Sequence, residues 1–188
     1  NGEALSFPHI QGADCCGHIV TVGANVNPRR IGERVITRTM QNHQQPDGST
    51  RVITLGSESR GAFAQFMAAR SFDAITVNAD WSDVALASIP CAYTTAEGML
   101  VRSDLGAETV LITGASGGVG SAAIQLAKRR GATIWAITQP EQAAALRDAG
   151  PDPPPDRDSN LPYNHFDVVI QPLASPRLSA LLAPLQAT

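Results

Sequence analysis

The stretch that most constrains this chain is LITGASGGVGSAAIQLA, Leu111 to Ala127, which sets four glycines (Gly114, Gly117, Gly118 and Gly120) within seven residues. They lie between an apolar run and an amphipathic segment. A strand that ends in a tight turn and passes straight into a helix leaves the first-turn amides and the positive end of the helix dipole facing outward. That is a site for an anion, most often a diphosphate. Side chains would hold the anion off. Glycines remove the Cβ atoms, permit the angles of the turn and let the helix pack close to the strand. Ala115, Gly117 and Gly120 occupy the three positions of the G-x-G-x-x-G fingerprint, with alanine in place of the first glycine. Alone the fingerprint is weak, but this one follows the strand pattern ETVLITG, opens a helix pattern and precedes a second strand pattern, TIWAIT. The chain is therefore expected to bind a dinucleotide through Ala115, Ser116, Gly117, Gly118, Val119 and Gly120. The bland alternative is a glycine-rich turn of structural use only.

The end of the second strand selects the dinucleotide. NAD sites place a carboxylate ~20 residues beyond the glycines, where it bonds the ribose 2′-hydroxyl. Here Thr138 stands 21 residues after Gly117, followed by Gln139. No carboxylate repels a 2′-phosphate, which favours NADP(H) over NAD(H). The nearest cation in sequence, Arg147, lies well into the next predicted helix. The same residues also spell T-G-x-x-x-G-x-G, Thr113 to Gly120, a short-chain dehydrogenase pattern. In that family the motif opens the chain, whereas 112 residues precede Thr113 here. Those enzymes also need a Tyr-x-x-x-Lys pair to exchange a proton. Tyr163 has Asp167 at that spacing, so the pattern does not extend to that family.

The texture of the chain changes along its length. From Phe7 to about Val77, short apolar runs (GHIVTVG, GERVITRTM, TRVITLG, GAFAQFMAA) are broken by Gly, Pro and Asn, which predicts a barrel-like antiparallel β domain. From Trp81 onward helix and strand alternate. WSDVALASIPCAYTTAEGMLVRS has helical spacing with Ser82 as its cap. GSAAIQLAKRRG is a helix whose Lys128, Arg129 and Arg130 suit its negative end and whose Gly131 stops it. PEQAAALRDAG predicts a further helix and FDVVIQ a further strand. The β-rich part and the βαβ part join near Ser88 to Ala96, which gives domains of 1–90 and 91–188. With 188 residues, 43% of them hydrophobic, and a formal charge of −3, the chain can bury a core and offers no basic surface to nucleic acid or anionic lipid. No apolar run reaches the ~20 residues of a membrane span and no signal peptide is legible. Three cysteines, Cys15, Cys16 and Cys91, form no disulfide framework and fit a cytoplasmic protein.

Along nearly its whole length the chain resembles the medium-chain dehydrogenase/reductase superfamily, the zinc-type alcohol dehydrogenases and quinone oxidoreductases. The matching segments are FPHIQGADCCGHIVTVGANV, RIGERV, GAFAQF, SIPCAYTTAEGML and ETVLITGASGGVGSAAIQLAKRRGA, in the family's order and at its distances. The resemblance implies an α/β protein: a GroES-like β-barrel domain followed by a Rossmann-like doubly wound parallel sheet, with the active site in the cleft between them. Family members are longer at both ends, so the chain is read as truncated at both ends. They often form homodimers through late strands of the sheet, a partner expectation that extends to the parent protein.

Metal is the first question raised by DCCGH, where Asp14, Cys15, Cys16 and His18 lie within five residues. On a strand Cys16 and His18 face one side and Cys15 the other, so they cannot converge tetrahedrally on zinc. In the zinc-dependent members the ligand histidine sits in Gly-His-Glu. Gly12-Ala13-Asp14 puts alanine there, and the four-cysteine structural lobe has no cysteine in QNHQQPDGSTRVITLGSESR. A member without zinc is expected, although Cys91 matches a third-ligand position. A nicotinamide delivers hydride to an electron-poor carbon, and the charge that arrives must be stabilised. Enones and quinones delocalise it themselves, so the resemblance implies reduction of a quinone, an enone or a carbonyl. It places Thr95 near the nicotinamide with Tyr93 close by, and it makes Asp14 a candidate for orienting substrate. Against these roles, Tyr93 and Thr95 can simply pack the linking helix and Asp14 can anchor a turn.

One segment departs from the family: GPDPPPDRDSNLPYNHF stands where a third strand belongs, and Pro153, Pro154 and Pro155 cannot donate ladder hydrogen bonds. That leaves open a nucleotide-binding protein without catalysis. A third reading is the enoyl reductase domain of a larger synthase.

Overall fold

The computed structural model describes residues 7–139, 142, 161–162 and 164–172. The chain divides into two compact units, Asn1–Cys91 and Ala92–Thr188.

The first unit is antiparallel β structure. Strand β1 (Cys16–His18) pairs with β2 (Arg34–Thr37), and β2 pairs on its other side with β5 (Ala74–Thr76). Alternation along β2 buries Val35 and Thr37 and leaves Arg34 and Ile36 half-buried, as period-2 geometry requires. Strands β3 (Met40–Gln44) and β4 (Thr50–Thr54) form a separate hairpin. Its turn is closed by the Gln45 amide on the Ser49 carbonyl at 2.8 Å, and Gly48 takes the positive φ of 83° that the turn needs.

Two strand expectations are corrected here. GHIVTVG forms a strand only over Cys16–His18. The Ile19 amide still reaches the Glu33 carbonyl at 3.0 Å, but the turn at Gly23–Val26 and a single 3₁₀ turn at Pro28–Arg30 then carry the chain off. GAFAQFMAA is not a strand. The amides of Gly61, Ala62 and Phe63 are taken by the carbonyls of Ile10, Gly12 and Gln11 at 2.7–2.9 Å, so none is left for a ladder. A Cβ on Gly61 would sit 2.3 Å from the Gly12 carbonyl oxygen, a backbone-to-backbone approach that hydrophobic alternation does not reveal.

Helix α1 (Asp83–Ala87) starts at Ser82, whose hydroxyl accepts from the Ala85 amide at 3.2 Å. The single helical stretch expected from Trp81 to Ser103 is instead two helices. The chain breaks at Ser88–Ile89 and restarts at Pro90 as α2 (Pro90–Arg102), because proline disfavours helical angles in the residue before it.

The second unit is a parallel sheet. Strand β6 (Thr109–Thr113) lies in the middle, with β7 (Thr133–Ile137) on one side and β8 (Val168–Ile170) on the other. Helix α3 (Gly118–Arg130) connects β6 to β7. One face of the sheet, with Val110, Ile112, Ile134, Ala136 and Ile170, packs on Ala122, Ala123, Ile124 and Ala127 of α3 and on Ala96 and Leu100 of α2. The other face buries Leu111 and Ile137 under Phe166, with Trp135 and His165 packed edge-to-face at 5.0 Å. Burial on both faces is what an uninterrupted apolar run such as Val110–Ile112 encodes. Helix α3 stops at Gly131, whose φ of 86° lets its amide reach the Ala127 and Lys128 carbonyls. The fold class is the expected one: α/β, with a GroES-like β region followed by a Rossmann-like parallel sheet. The helix expected from Pro140 and the triple proline lie outside the described residues, Gln142 excepted.

Candidate functional site: the glycine loop of the parallel sheet

The order of strands in the second unit reverses at β6: the chain passes to β7 on one side and to β8 on the other. In open α/β sheets the crevice outside the carboxyl end of such a strand is where ligands bind. The glycine loop occupies that end. Gly114 follows β6 with a φ of 59°, and the Gly117 amide closes a turn onto the Gly114 carbonyl at 3.0 Å. Gly117 is the N-cap of α3 and offers no side chain to the first-turn amides. Those amides have no acceptor within the helix. Ser116, Gly117 and Gly118 are exposed, whereas Ala115 and Gly120 are buried.

Each fingerprint residue has a distinct physical use. A Cβ on Gly120 would lie 2.2 Å from the Gly114 carbonyl oxygen and 2.8 Å from the Ala115 Cα, so only glycine lets α3 pack this close to the loop. A Cβ on Gly117 would lie 3.3 Å from the same oxygen. At the first position Ala115 is fully buried, and its amide donates to the Ile137 carbonyl at 3.2 Å, which ties the loop to the end of β7. The methyl group that replaces the first fingerprint glycine thus points into protein. Val119 packs half-buried against the core.

At the end of β7, Thr138 is buried and Gln139 is exposed. Neither is charged, and the residue brought to them is Gln142. Its Oε1 accepts from the Thr138 hydroxyl at 3.4 Å and also from the Ser116 hydroxyl, while its amide donates to the Gln139 carbonyl at 2.9 Å. Sequence reasoning named Ser116, Thr138 and Gln139 but passed over Gln142. The available signal was spacing: four residues beyond Thr138, one turn into a predicted helix, a side chain can reach back to the strand end it has just left.

The start of α2 borders this loop. A Cβ on Gly118 would be 3.6 Å from the Ala92 Cβ, an ordinary contact. Thr95, one turn on from Ala92, is exposed on the same side of the helix. The Tyr93 hydroxyl donates to Gln125 Oε1 of α3 at 3.0 Å, which holds that ring against the helix flank. Asp14 belongs to the first unit, where its Oδ1 accepts from the Cys91 amide at 2.7 Å. That is the anchoring use of this carboxylate.

The dinucleotide of such folds meets residues that suit it: an uncapped helix start, exposed glycines at Gly117 and Gly118, and a helix that Gly120 lets pack close to the loop. Zinc does not meet such residues at Asp14–His18. Asp14 is committed to a backbone amide, and Cys16 Sγ donates to Asp83 Oδ1 at 3.8 Å. Burial pushes the Cys15 thiol above its ordinary range, with Cys16 adding to it. Burial does the same for Cys16, with the Asp83 charge adding. Among the described residues no three His, Cys, Asp or Glu side chains gather as a metal site. Cys15, Cys16 and Thr37 instead line a concavity of about 670 Å³ within the first unit, together with Val35, Phe66 and Met67.

Comparison with known proteins places both units. Residues 1–79 match the alcohol dehydrogenase GroES-like domain. The acryloyl-coenzyme A reductase of Metallosphaera sedula is 30% identical over 155 residues, covering 76% of this chain and 46% of the relative. A trans-enoyl reductase of Aspergillus flavipes is 32% identical over 183 residues, covering 92% of this chain and 48% of the relative. A solved structure from Sinorhizobium meliloti 1021, assigned as an alcohol dehydrogenase, superposes with a TM-score of 0.86 at 41% identity, covering 96% of this chain and 53% of that one. The chain thus spans about half the length of the curated relatives it matches.

Proposed function

This chain belongs to the medium-chain dehydrogenase/reductase superfamily, and from that premise we propose that it is the core of an NADP(H)-dependent oxidoreductase that reduces an activated double bond, a quinone or a carbonyl without zinc. The observation that carries this reading is the glycine loop at the end of β6. It presents uncapped amides at Gly118, Val119 and Gly120 with Ser116 and Gly117 exposed beside them. A diphosphate seats on such amides through the helix dipole and direct N–H donation. The coenzyme, once bound, supplies a hydride. The chain's own residues fix its position: Ala115 to Gly120 hold the diphosphate, Thr138 and Gln139 border the adenosine ribose, and Thr95 flanks the nicotinamide end. The preference for NADP(H) is supported by the neutral end of β7, where nothing repels a 2′-phosphate.

The absence of a fitting zinc set at Asp14–His18 directs the choice of substrate by chemistry. A carbon that accepts hydride and passes the charge into its own conjugated system needs no Lewis acid beside it. Relatives named as reductases of acryloyl-coenzyme A and of trans-enoyl groups support this class. A second reading, the enoyl reductase domain of a larger synthase, is supported by 32% identity over 143 residues to erythronolide synthase of Saccharopolyspora erythraea, of which the match spans 3%.

The test is consumption of NADPH by the purified protein, followed by its near-ultraviolet absorbance, with methyl vinyl ketone, a naphthoquinone and an aliphatic aldehyde in separate reactions. Turnover with the enone or the quinone is the expected result. Coenzyme binding with no oxidation by any acceptor would leave a nucleotide-binding protein without catalysis and overturn the enzymatic reading.

A further inference from the structure

Two hydroxyls that lie 22 residues apart in sequence, Ser116 in the glycine loop and Thr138 at the end of β7, converge on one carboxamide oxygen, Gln142 Oε1. A carboxamide has two ends of opposite character. With its oxygen taken by two donors, its NH₂ group is left to donate to something else. The backbone amide of Gln142 is also committed, to the Gln139 carbonyl at 2.9 Å, so both the backbone and the side chain of this exposed residue are fixed in place. The fixed position is the crevice between the ends of β6 and β7. A dinucleotide whose diphosphate sits on the first turn of α3 must lay its adenosine ribose across that crevice.

We infer that Gln142 sets which nicotinamide coenzyme the loop holds, by donating its side-chain NH₂ to the oxygen on C2′ of the adenosine ribose. This rests on the nucleotide reading of the glycine loop. A neutral donor meets a hydroxyl or a phosphate oxygen, the charged phosphate oxygen the more strongly, whereas a carboxylate meets only the hydroxyl and a cation favours the phosphate further. Because Ser116 and Thr138 are donors toward Oε1, they hold the amide with its NH₂ outward. A glutamate at the same position would keep both hydroxyl bonds and present a negative charge to C2′ in place of a neutral donor.

Isothermal titration of the purified protein with 2′-phospho-ADP-ribose and with ADP-ribose tests this without turnover. The unsubstituted protein is expected to bind both, 2′-phospho-ADP-ribose the more tightly. Gln142→Glu is expected to weaken 2′-phospho-ADP-ribose about tenfold or more and ADP-ribose no more than about threefold, since the new charge faces only the 2′ substituent. Gln142→Lys is expected to shift the ratio the other way by a similar factor. ADP-ribose affinity serves as the control for folding in both variants. A ratio within about twofold of the original in both, with ADP-ribose still bound, overturns the role of Gln142 alone. Failure of the unsubstituted protein to bind either ligand overturns the nucleotide reading of the loop and this inference with it.

Discussion

At Gly118 and Gly120, two residues apart, the consequences of adding a side chain diverge. A Cβ on Gly120 meets backbone at 2.2 Å, and backbone cannot swing away as a flexible side chain can. Gly120→Val is expected to cost about 1–3 kcal/mol by overpacking and to lower the urea midpoint. A Cβ on Gly118 finds an ordinary contact at 3.6 Å, and a carboxylate in the first turn of a helix is favourable to it. Gly118→Asp is therefore expected to leave the urea midpoint unchanged or slightly raised while weakening ADP-ribose about tenfold or more, because it puts a negative charge where the diphosphate belongs. Equal loss of stability in both variants would deny that Gly118 is kept for a ligand. The close approach at Gly120 was legible from the fingerprint. The bridge through Gln142 was legible only in part, because its spacing lets it reach back to Thr138 but does not say that Ser116 meets the same oxygen.

Elements form in this chain where local signals and packing agree. Strand β6 is apolar at its centre and is buried there on both faces, with Val110, Leu111 and Ile112 fully inaccessible. Helix α3 carries small residues at Ala122, Ala123 and Ala127, which let it lie close on the sheet, and ends in Gly131 in the left-handed region. Ile112→Ala is expected to cost about 2–5 kcal/mol through a cavity in the middle strand. Gly131→Ala is expected to cost about 1–2 kcal/mol, the penalty of a Cβ in that conformation. Both are checked by chemical denaturation with circular dichroism as the probe, and a larger loss at Gly131 than at Ile112 would contradict the packing order. Where neighbours supplied the decisive contacts, local pattern failed. GAFAQFMAA has strand-like composition, yet residues 61–63 give their amides to carbonyls at 10–12, and the pattern contains no trace of that partner.

On the scale of the whole molecule the net charge of −3 gives an anionic coenzyme no long-range attraction, so the proposed affinity has to come from the local amides of the glycine loop. A ligand bound to the native state alone stabilises it by mass action. With 2′-phospho-ADP-ribose at about a hundred times its Kd the gain is about 2.7 kcal/mol, which for a chain of this size raises Tm by roughly 5–10 °C. No rise in Tm at that concentration would contradict a preformed site in the second unit. Sequence alone determined the division of texture between β-rich and βαβ parts, the strand–glycine loop–helix order, the cap at Ser82 and the stop at Gly131. Each is local: hydrophobic period, the missing Cβ of glycine and the donors of a capping side chain act within a few residues. Tertiary structure alone decided that Asp14 serves the Cys91 amide, that β8 pairs beside β6, that residues 61–63 lie against residues 10–12, and that Gln142 closes on Ser116 and Thr138. Those contacts join residues from 4 to 77 positions apart, and whether they form depends on which donors and acceptors folding leaves unpaired, a quantity that no short window of sequence contains.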